Sequence, residues 1–583
     1  MKRINNNRIL RRGTACCGIA AALTALSLTA CSDWTDHYQD DSSILDSQQK
    51  TLWENIEQNE NLTQFASLLK KVSYDYVLNT SQTYTVWAPA NGTFDFDTYD
   101  SYGWDRLENE FVRNHIARNN YPASGQVDER VITLNEKMMH FGGNGNYSIQ
   151  DINITRPNLA SRNGVIHQLG GGIPFKSNIF ESLNSGLYPL DSIADFFRSN
   201  NVKKLNVDKS VVGPTENGRI TYLDSVFDEH NTLFTRFQAF INREDSNYTM
   251  LVPTNKAWHE AREKIEKYYN YFRSFEFMEN TSTTEQKKES IIIKDVDYLR
   301  DSIVYTMLLS DLFYNNNIYD NRKLNTLQTG ERLQVDSLYS TMRTKVYAED
   351  AARLFEGAIR QVNSNGAAWV TDSLRMRSWT TWNPEIIVEG ENSRMLASTL
   401  STSDTPHTYV APETQNPEIS GKLSNNSYME VLPISQSTNP GVVFYLPDVR
   451  STTYSIYIVM VPANIVNPNN EVKPNRFTVT LGSVDSNGKN QDRIKDWTVE
   501  STFQSDTTKI DTIYLGDYTF PMAYFGTGNY YPYMRINSSV TNKERMNYDR
   551  ILRIDCLILR PKELDLYLKE HPDYKYDKGL YNN

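Results

Sequence analysis

Histidine, cysteine and paired carboxylates are the side chains that most often carry chemistry, and here they form no recognisable motif. The eight histidines are scattered. His259-Glu260 begins like a zinc-protease helix, but Glu263 stands where the second histidine belongs. The sequence has no Cys-x-x-Cys pair and no DxDxDG calcium loop. GGNGNY (142–147) and FGTGNY (525–530) read as hairpin turns, because neither opens a helix after a strand. Gly170-Gly171-Gly172 has no GxSxG serine to serve. No catalytic residue, no metal ligand and no cofactor is expected on these grounds. What remains is aromatic. Tyr514, Tyr518, Phe520, Tyr524, Phe525, Tyr530, Tyr531 and Tyr533 crowd one stretch, with Trp497 close by. Aromatic faces stack on sugar C–H groups or peptide side chains, and tyrosine adds a hydroxyl. Trp497, Tyr524, Tyr530 and Tyr531 are the candidate ligand contacts, and packing in a core is the competing role for the group. His115 and His167 lie beside apolar residues and read as core imidazoles.

The elements that must position such residues announce themselves by repetition. YTVWAPANGTFD (84–95) and YTMLVPTNKAWH (248–259) are two versions of one phrase. Its β-branched and aromatic residues suit a strand, and Pro89 and Pro253 should end it. Asn91 and Asn255 then read as caps of the next helix in the chain. Apolar residues at helical spacing precede both phrases: Leu62, Phe65, Leu69 and Val72, then Leu233, Phe234, Phe237, Phe240 and Ile241. An Asn-Gly turn lies downstream of each, at Asn163-Gly164 and Asn365-Gly366.

Helix, phrase, Asn-Gly turn and a closing VIH strand, in that order, resemble the fasciclin (FAS1) domain. FASLLKKV, FVRNHI, VITLNEK and SRNGVIHQL carry the resemblance in the first copy. The second departs from it: Asp311, in LLSDLF, stands near the histidine position, and AAW replaces VIH. The resemblance implies FAS1-like mixed α/β domains at 47–180 and 186–383. The second carries an insertion near 262–295, expected as helix plus polar loop.

Past Pro384 the texture changes to short strand-like runs such as TYSIYIVMVP, RFTVTLG and RILRIDCLILRP. Leu552, Ile554, Cys556 and Ile558 alternate on one face. An all-β sandwich is expected over 384–562, similar to C-terminal modules of Bacteroidota surface lipoproteins and, in outline, to galactose-binding-like jelly rolls. Trp379 and Trp382 are expected to seal the joint before it. A polar tail, 563–583, closes the chain as a short helix and loose end.

Residues 1–30 read as an export signal. Lys2, Arg3, Arg8, Arg11 and Arg12 precede an apolar run too short to span a membrane. Leu28-Thr29-Ala30-Cys31 resembles a lipobox, which implies lipid on Cys31. An acidic tether, 31–46, comes next, and Asp33, Asp36, Asp40 and Asp41 resemble an outer-face export signal of Bacteroidota. Cys16 and Cys17 fall inside the signal, which leaves Cys556 as the one cysteine after Cys31 and excludes an internal disulfide framework. The chain carries a formal charge of −11, which argues against nucleic acid as a partner.

The expected function is a non-enzymatic outer-membrane lipoprotein facing the cell exterior. It would bind a glycan or peptide as an accessory to a SusC/SusD-like uptake system. Adhesion to cells or host matrix, and a glycan-processing enzyme with paired carboxylates, are the alternatives.

Overall fold

The computed structural model describes residues 47–578 except 206, 208–210, 217, 225–226, 280–286, 411–415 and 417–422. The signal segment, Cys31 and the tether lie outside the described residues. Among those described, no helix is long and apolar enough to cross a membrane. The chain divides into two compact units between Lys176 and Ser177.

In the first unit a seven-stranded sheet runs in the order β2-β1-β7-β6-β5-β4-β3. Its strands are β1 (Tyr84–Pro89), β2 (Ile116–Arg118), β3 (Gln126–Ile132), β4 (Met138–Asn144), β5 (Asn146–Ile149), β6 (Ile152–Ser161) and β7 (Gly164–Leu169). β1 and β7 are parallel, Tyr84 opposite Gly164 and Trp87 opposite His167. Both faces of this pair are covered, which explains why the phrase is mostly apolar rather than alternating, with Thr85 buried among apolar neighbours. Val86 and Ile166 pack with Leu52, Phe65 and Leu69 from the helices, while Trp87 and Leu169 pack with Phe141 and Ile149.

After helices Ile179–Ser182 and Asp191–Ser199, the second unit has two strand pairs that the sequence pattern does not announce, β8 (Asn201–Leu205) with β11 (Phe227–Asn231) and, between them in the chain, β9 (Val211–Glu216) with β10 (Arg219–Asp224). Strand β12 (Tyr248–Pro253) comes next, then the helix Asn255–Glu266. The expected insertion opens on the end of that helix, as its helical part implies, and continues in the antiparallel pair β13 (Ser274–Glu279) and β14 (Lys287–Ile292) where polar loop was expected. SFEF alternates with the period of a strand, and it buries Phe275 and Phe277 in the core of the all-β region. After the helix Val296–Leu309 come β15 (Phe313–Asn315), the pair β16 (Ser337–Tyr339) and β17 (Lys345–Tyr347), β18 (Ile359–Asn363) and β19 (Gly366–Thr371). The order β15-β12-β19-β18 reproduces the centre of the first sheet. β12 is parallel to β19 with Tyr248 opposite Gly366.

Register makes the correspondence residue by residue. Val86 faces Ile116 in one copy, and Met250 faces Phe313 in the other. His115 therefore corresponds to Leu312, and Asp311 corresponds to Asn114 rather than to the histidine. Each phrase asparagine caps an upstream helix, not the one expected after it. Asn91 Oδ1 accepts from the Gln64 amide at 3.0 Å, and Asn255 Oδ1 accepts from Ser192 at 2.9 Å. The boundary also moves. Ile179–Ser182 is a helix of the second unit, its Ile179 amide held by Asn365 at 2.9 Å.

Two six-stranded sheets complete the chain around one shared core. β20 (Ile386–Glu389), β22 (His407–Val410), β23 (Ser427–Val431), β25 (Thr453–Met460), β29 (Asp511–Thr519) and β31 (Leu552–Pro561) form one. β21 (Leu396–Thr399), β24 (Gly441–Tyr445), β26 (Arg476–Val484), β27 (Asn490–Ile494), β28 (Phe503–Gln504) and β30 (Tyr533–Ser538) form the other. Trp379 and Trp382 do lie at a joint. The Trp379 indole donates to the Tyr574 hydroxyl at 3.0 Å, and the Trp382 carbonyl accepts from Tyr269 at 2.9 Å. The tail is anchored as far as it is described. After helix Lys562–Glu570 come Tyr574 on Asp350, Tyr576 on Glu385 at 3.1 Å, and Asp577 accepting from the Lys345 amide at 3.0 Å.

Candidate functional site

The aromatic stretch does not stay together. Tyr524 is 1% exposed, and its hydroxyl bridges Ser483 Oγ at 3.0 Å and the Val484 amide at 3.1 Å. Trp497 is buried in the same core. Both belong to packing. Tyr530 is half-buried, edge-on to Phe275 and Phe277 of the hairpin. Tyr531 alone of the four reaches a different face, where its ring lies 5.8 Å from Tyr445.

That face is the outer side of the sheet β21-β24-β30-β26-β27. Strand alternation builds it: Val442, Phe444, Leu481, Met534 and Ile536 point into the core, so their neighbours point away. The register sets three rows side by side: Tyr445, Tyr533 and Gly482; Val443, Arg535 and Thr480; Gly441, Asn537 and Thr478. The Tyr533 ring lies directly on Gly482, where a Cβ would fall 2.2 Å from it. Only glycine leaves room for that ring to lie flat. Burial pushes the Tyr533 hydroxyl up to about 12, so it stays a neutral donor, set 3.4 Å from the Asp492 carbonyl. Arg535 and Asn537 are half-buried. Arg535 Nε and Asn537 Oδ1 are buried without a hydrogen-bond partner. A leftover donor and a leftover acceptor thus stand in adjacent rows beside three tyrosines. Such a surface can stack an apolar ring face and bond to polar groups at its edge. Tyr445, Arg535 and Asn537 escaped the sequence reading, although YMRINS carries Tyr533, Arg535 and Asn537 at strand spacing.

His115 and His167 are fully buried and bonded, as core imidazoles are. Phe111 O lies 2.7 Å from His115 Nδ1, and the Ile173 amide donates to Nε2 at 2.9 Å. His167 accepts from the Asn158 amide at Nδ1 and meets Tyr121 O at 2.8 Å through Nε2. Burial holds both well below the usual range, at about 4.

The doubled constellation is tied by its Asn-Gly turns. Asn163 Nδ2 donates to Leu78 O and Thr80 O, and its Oδ1 accepts from Leu52. Asn365 repeats this with Ile241, Arg243 and Ile179. Residues 60–171 are a fasciclin domain. No curated protein matches the chain by sequence. Among solved structures, a Paenibacillus xanthan lyase is 16% identical, over 41% of this chain and 19% of its own, with a TM-score of 0.19. The FAS1 domain pair of the insect cell adhesion molecule fasciclin I is 10% identical, over 56% of this chain and 97% of its own, with a TM-score of 0.19. The family 22 carbohydrate-binding module of Clostridium thermocellum Xyn10B is 12% identical, over 30% and 91%, with a TM-score of 0.19.

Proposed function

We propose that this chain is a non-enzymatic surface lipoprotein that binds saccharide through the outer face of its last sheet. In this reading two FAS1-like domains and a β-sandwich are carried at the end of an acidic tether, anchored by an acylated Cys31 at the outer membrane and facing the exterior. The observation that carries the proposal is the pair of half-buried rings Tyr445 and Tyr531, set over the buried Tyr533 and beside the unpartnered Arg535 Nε and Asn537 Oδ1. Tyrosine stacks on the C–H face of a pyranose, and the guanidinium and amide meet its hydroxyls or a carboxylate. A role beside a SusC/SusD-like transporter would make that binding a step in nutrient capture.

Adhesion is the second reading, favoured by the fasciclin domain at 60–171. A solid-phase panel of polysaccharides and matrix proteins separates the two. Saccharide binding that Tyr531→Ala or Arg535→Ala weakens supports the first. Retention only on matrix proteins, indifferent to those substitutions, supports the second and sinks the first.

A further inference from the structure

Strand β31 changes partners part-way along one edge. β20 covers Cys556 to Leu559, and β23 covers Leu552 to Ile554. Asp555 falls in the gap between them. Among the described residues its carboxylate accepts from the Ser424 amide alone, at 3.1 Å to each oxygen, while its carbonyl accepts from Gly390. The last residue of β20, Glu389, brings its carboxylate to the same place. A carboxylate oxygen of Glu389, one of Asp555 and the Cys556 sulfur lie within 4.8 Å of one another. Glu389 is 8% exposed. Ser424 Oγ donates to its Oε1 at 2.6 Å, but its Oε2 is buried with no partner. Glu391, two residues on, is half-buried and also keeps a buried, unpartnered Oε2.

The rest of this sheet shows what buried carboxylates require. Glu430 meets Arg553 at 2.8 Å, Glu385 meets Arg560 at 2.5 Å, and Asp565 meets Lys569 at 3.0 Å. The charged groups acting on Asp555 are Glu389 and Glu391, and the one acting on Glu389 is Glu391. Among the described residues no arginine or lysine acts on either. Two buried carboxylates with a half-buried third beside them cost more than the bonds from Ser424, Asn425 and Ser427 return.

We propose that this gap between β20 and β23 binds a hard divalent cation of calcium's size, held by Glu389 and Asp555 with Glu391 beside them. Calcium prefers carboxylate oxygens at about 2.3–2.6 Å, so ligands on opposite sides of it stand about 4.6–5.2 Å apart. Magnesium, at about 2.0–2.1 Å, keeps several waters in a near-ideal octahedron and is seldom held by protein carboxylates alone. Zinc would claim the Cys556 sulfur as a ligand, whereas a hard cation takes the carboxylate oxygens alone. The bound ion would join the end of β20 to the Ser424–Ser427 turn and so close the broken edge of β31.

The test uses the full chain, stripped with a chelator and titrated with calcium, magnesium or zinc alone, by calorimetry and thermal denaturation. The proposal expects one calcium per chain and a higher Tm at about 1 mM calcium, a concentration typical of extracellular calcium modules. Glu389→Gln should abolish the response. Because loss of fold in that variant would give the same silence, Glu391→Gln is the companion. It should remain folded in calcium and lower calcium affinity about 10-fold or more. A wild-type chain silent to calcium at millimolar concentration overturns the proposal. So does a calcium response unchanged in both variants, or binding of zinc in calcium's place.

Discussion

The strand pairs β1–β7 and β12–β19 share one register and differ in what fills it. Backbone demands are kept to the atom. Gly164 and Gly366 have φ near +151° and +138°, and a Cβ on either would fall 1.9 Å from the carbonyl oxygen of the facing tyrosine. Asn163 and Asn365 hold equivalent pairs of carbonyls and one amide. The filling changes freely. Trp87 opposite His167 becomes Leu251 opposite Trp369, so the indole moves to the neighbouring strand. His115 becomes Leu312. Close backbone approach admits one residue type, whereas a core needs only apolar volume and satisfied polar atoms.

This contrast can be broken at four points. The largest effect belongs to Gly164→Ala and Gly366→Ala. Each should destabilise its own copy by about 4 kcal/mol or more, since backbone must shift to admit the methyl. Urea unfolding followed by hydrogen exchange would report it, and a tolerated alanine in either copy would break the equivalence. Asn163→Ala and Asn365→Ala come next, at about 3 kcal/mol each, because buried backbone groups lose partners.

Acid should then separate the copies. His115 and His167 stay neutral in the folded state down to about 4, below their ordinary 6.5. The unfolded chain therefore binds more protons between those values. Stability of the fasciclin domain is retained above pH 6.5 and falls as pH drops toward 4, by about 2 kcal/mol per histidine from pH 7 to pH 5. Leu312 and Trp369 exempt the second copy from this loss. Calorimetric scans of the full chain at the two pH values should show one transition moving more than the other. The smallest effect is Asp311→Asn. Burial raises the Asp311 carboxyl above its ordinary value, and its Oδ1 has no partner. The charge costs stability above its unfolded pKa, and that cost fades as the folded group protonates. Asparagine, as at Asn114, should gain about 1 kcal/mol at pH 7 and less in acid.

The sequence carried the parts of the fold that are local. Proline ended both phrase strands, Asn-Gly turned both chains, and alternation marked β31. It misplaced the parts that depend on distant partners. Asn91 reads as a cap for the next helix, and only the folded chain brings Gln64 to it. SFEF falls in the segment expected as helix plus polar loop, and the core it enters is built from residues far along the chain. The aromatic stretch divided because a strand sends alternate side chains to opposite faces. Tyr531 and Tyr533 went outward, while Tyr524, before the strand, was drawn into the core. Glu389 and Asp555 were invisible as a pair because no spacing joins them.

The proposed saccharide-binding role of this face is tested most directly by affinity electrophoresis of the full chain through gels containing single polysaccharides, with product sugars assayed in the same gels. The account predicts slowed migration on at least one polysaccharide, restored to free mobility by Tyr531→Ala with Arg535→Ala, and no release of new sugar ends. Retardation that survives both substitutions, or steady release of cleaved product, would contradict it.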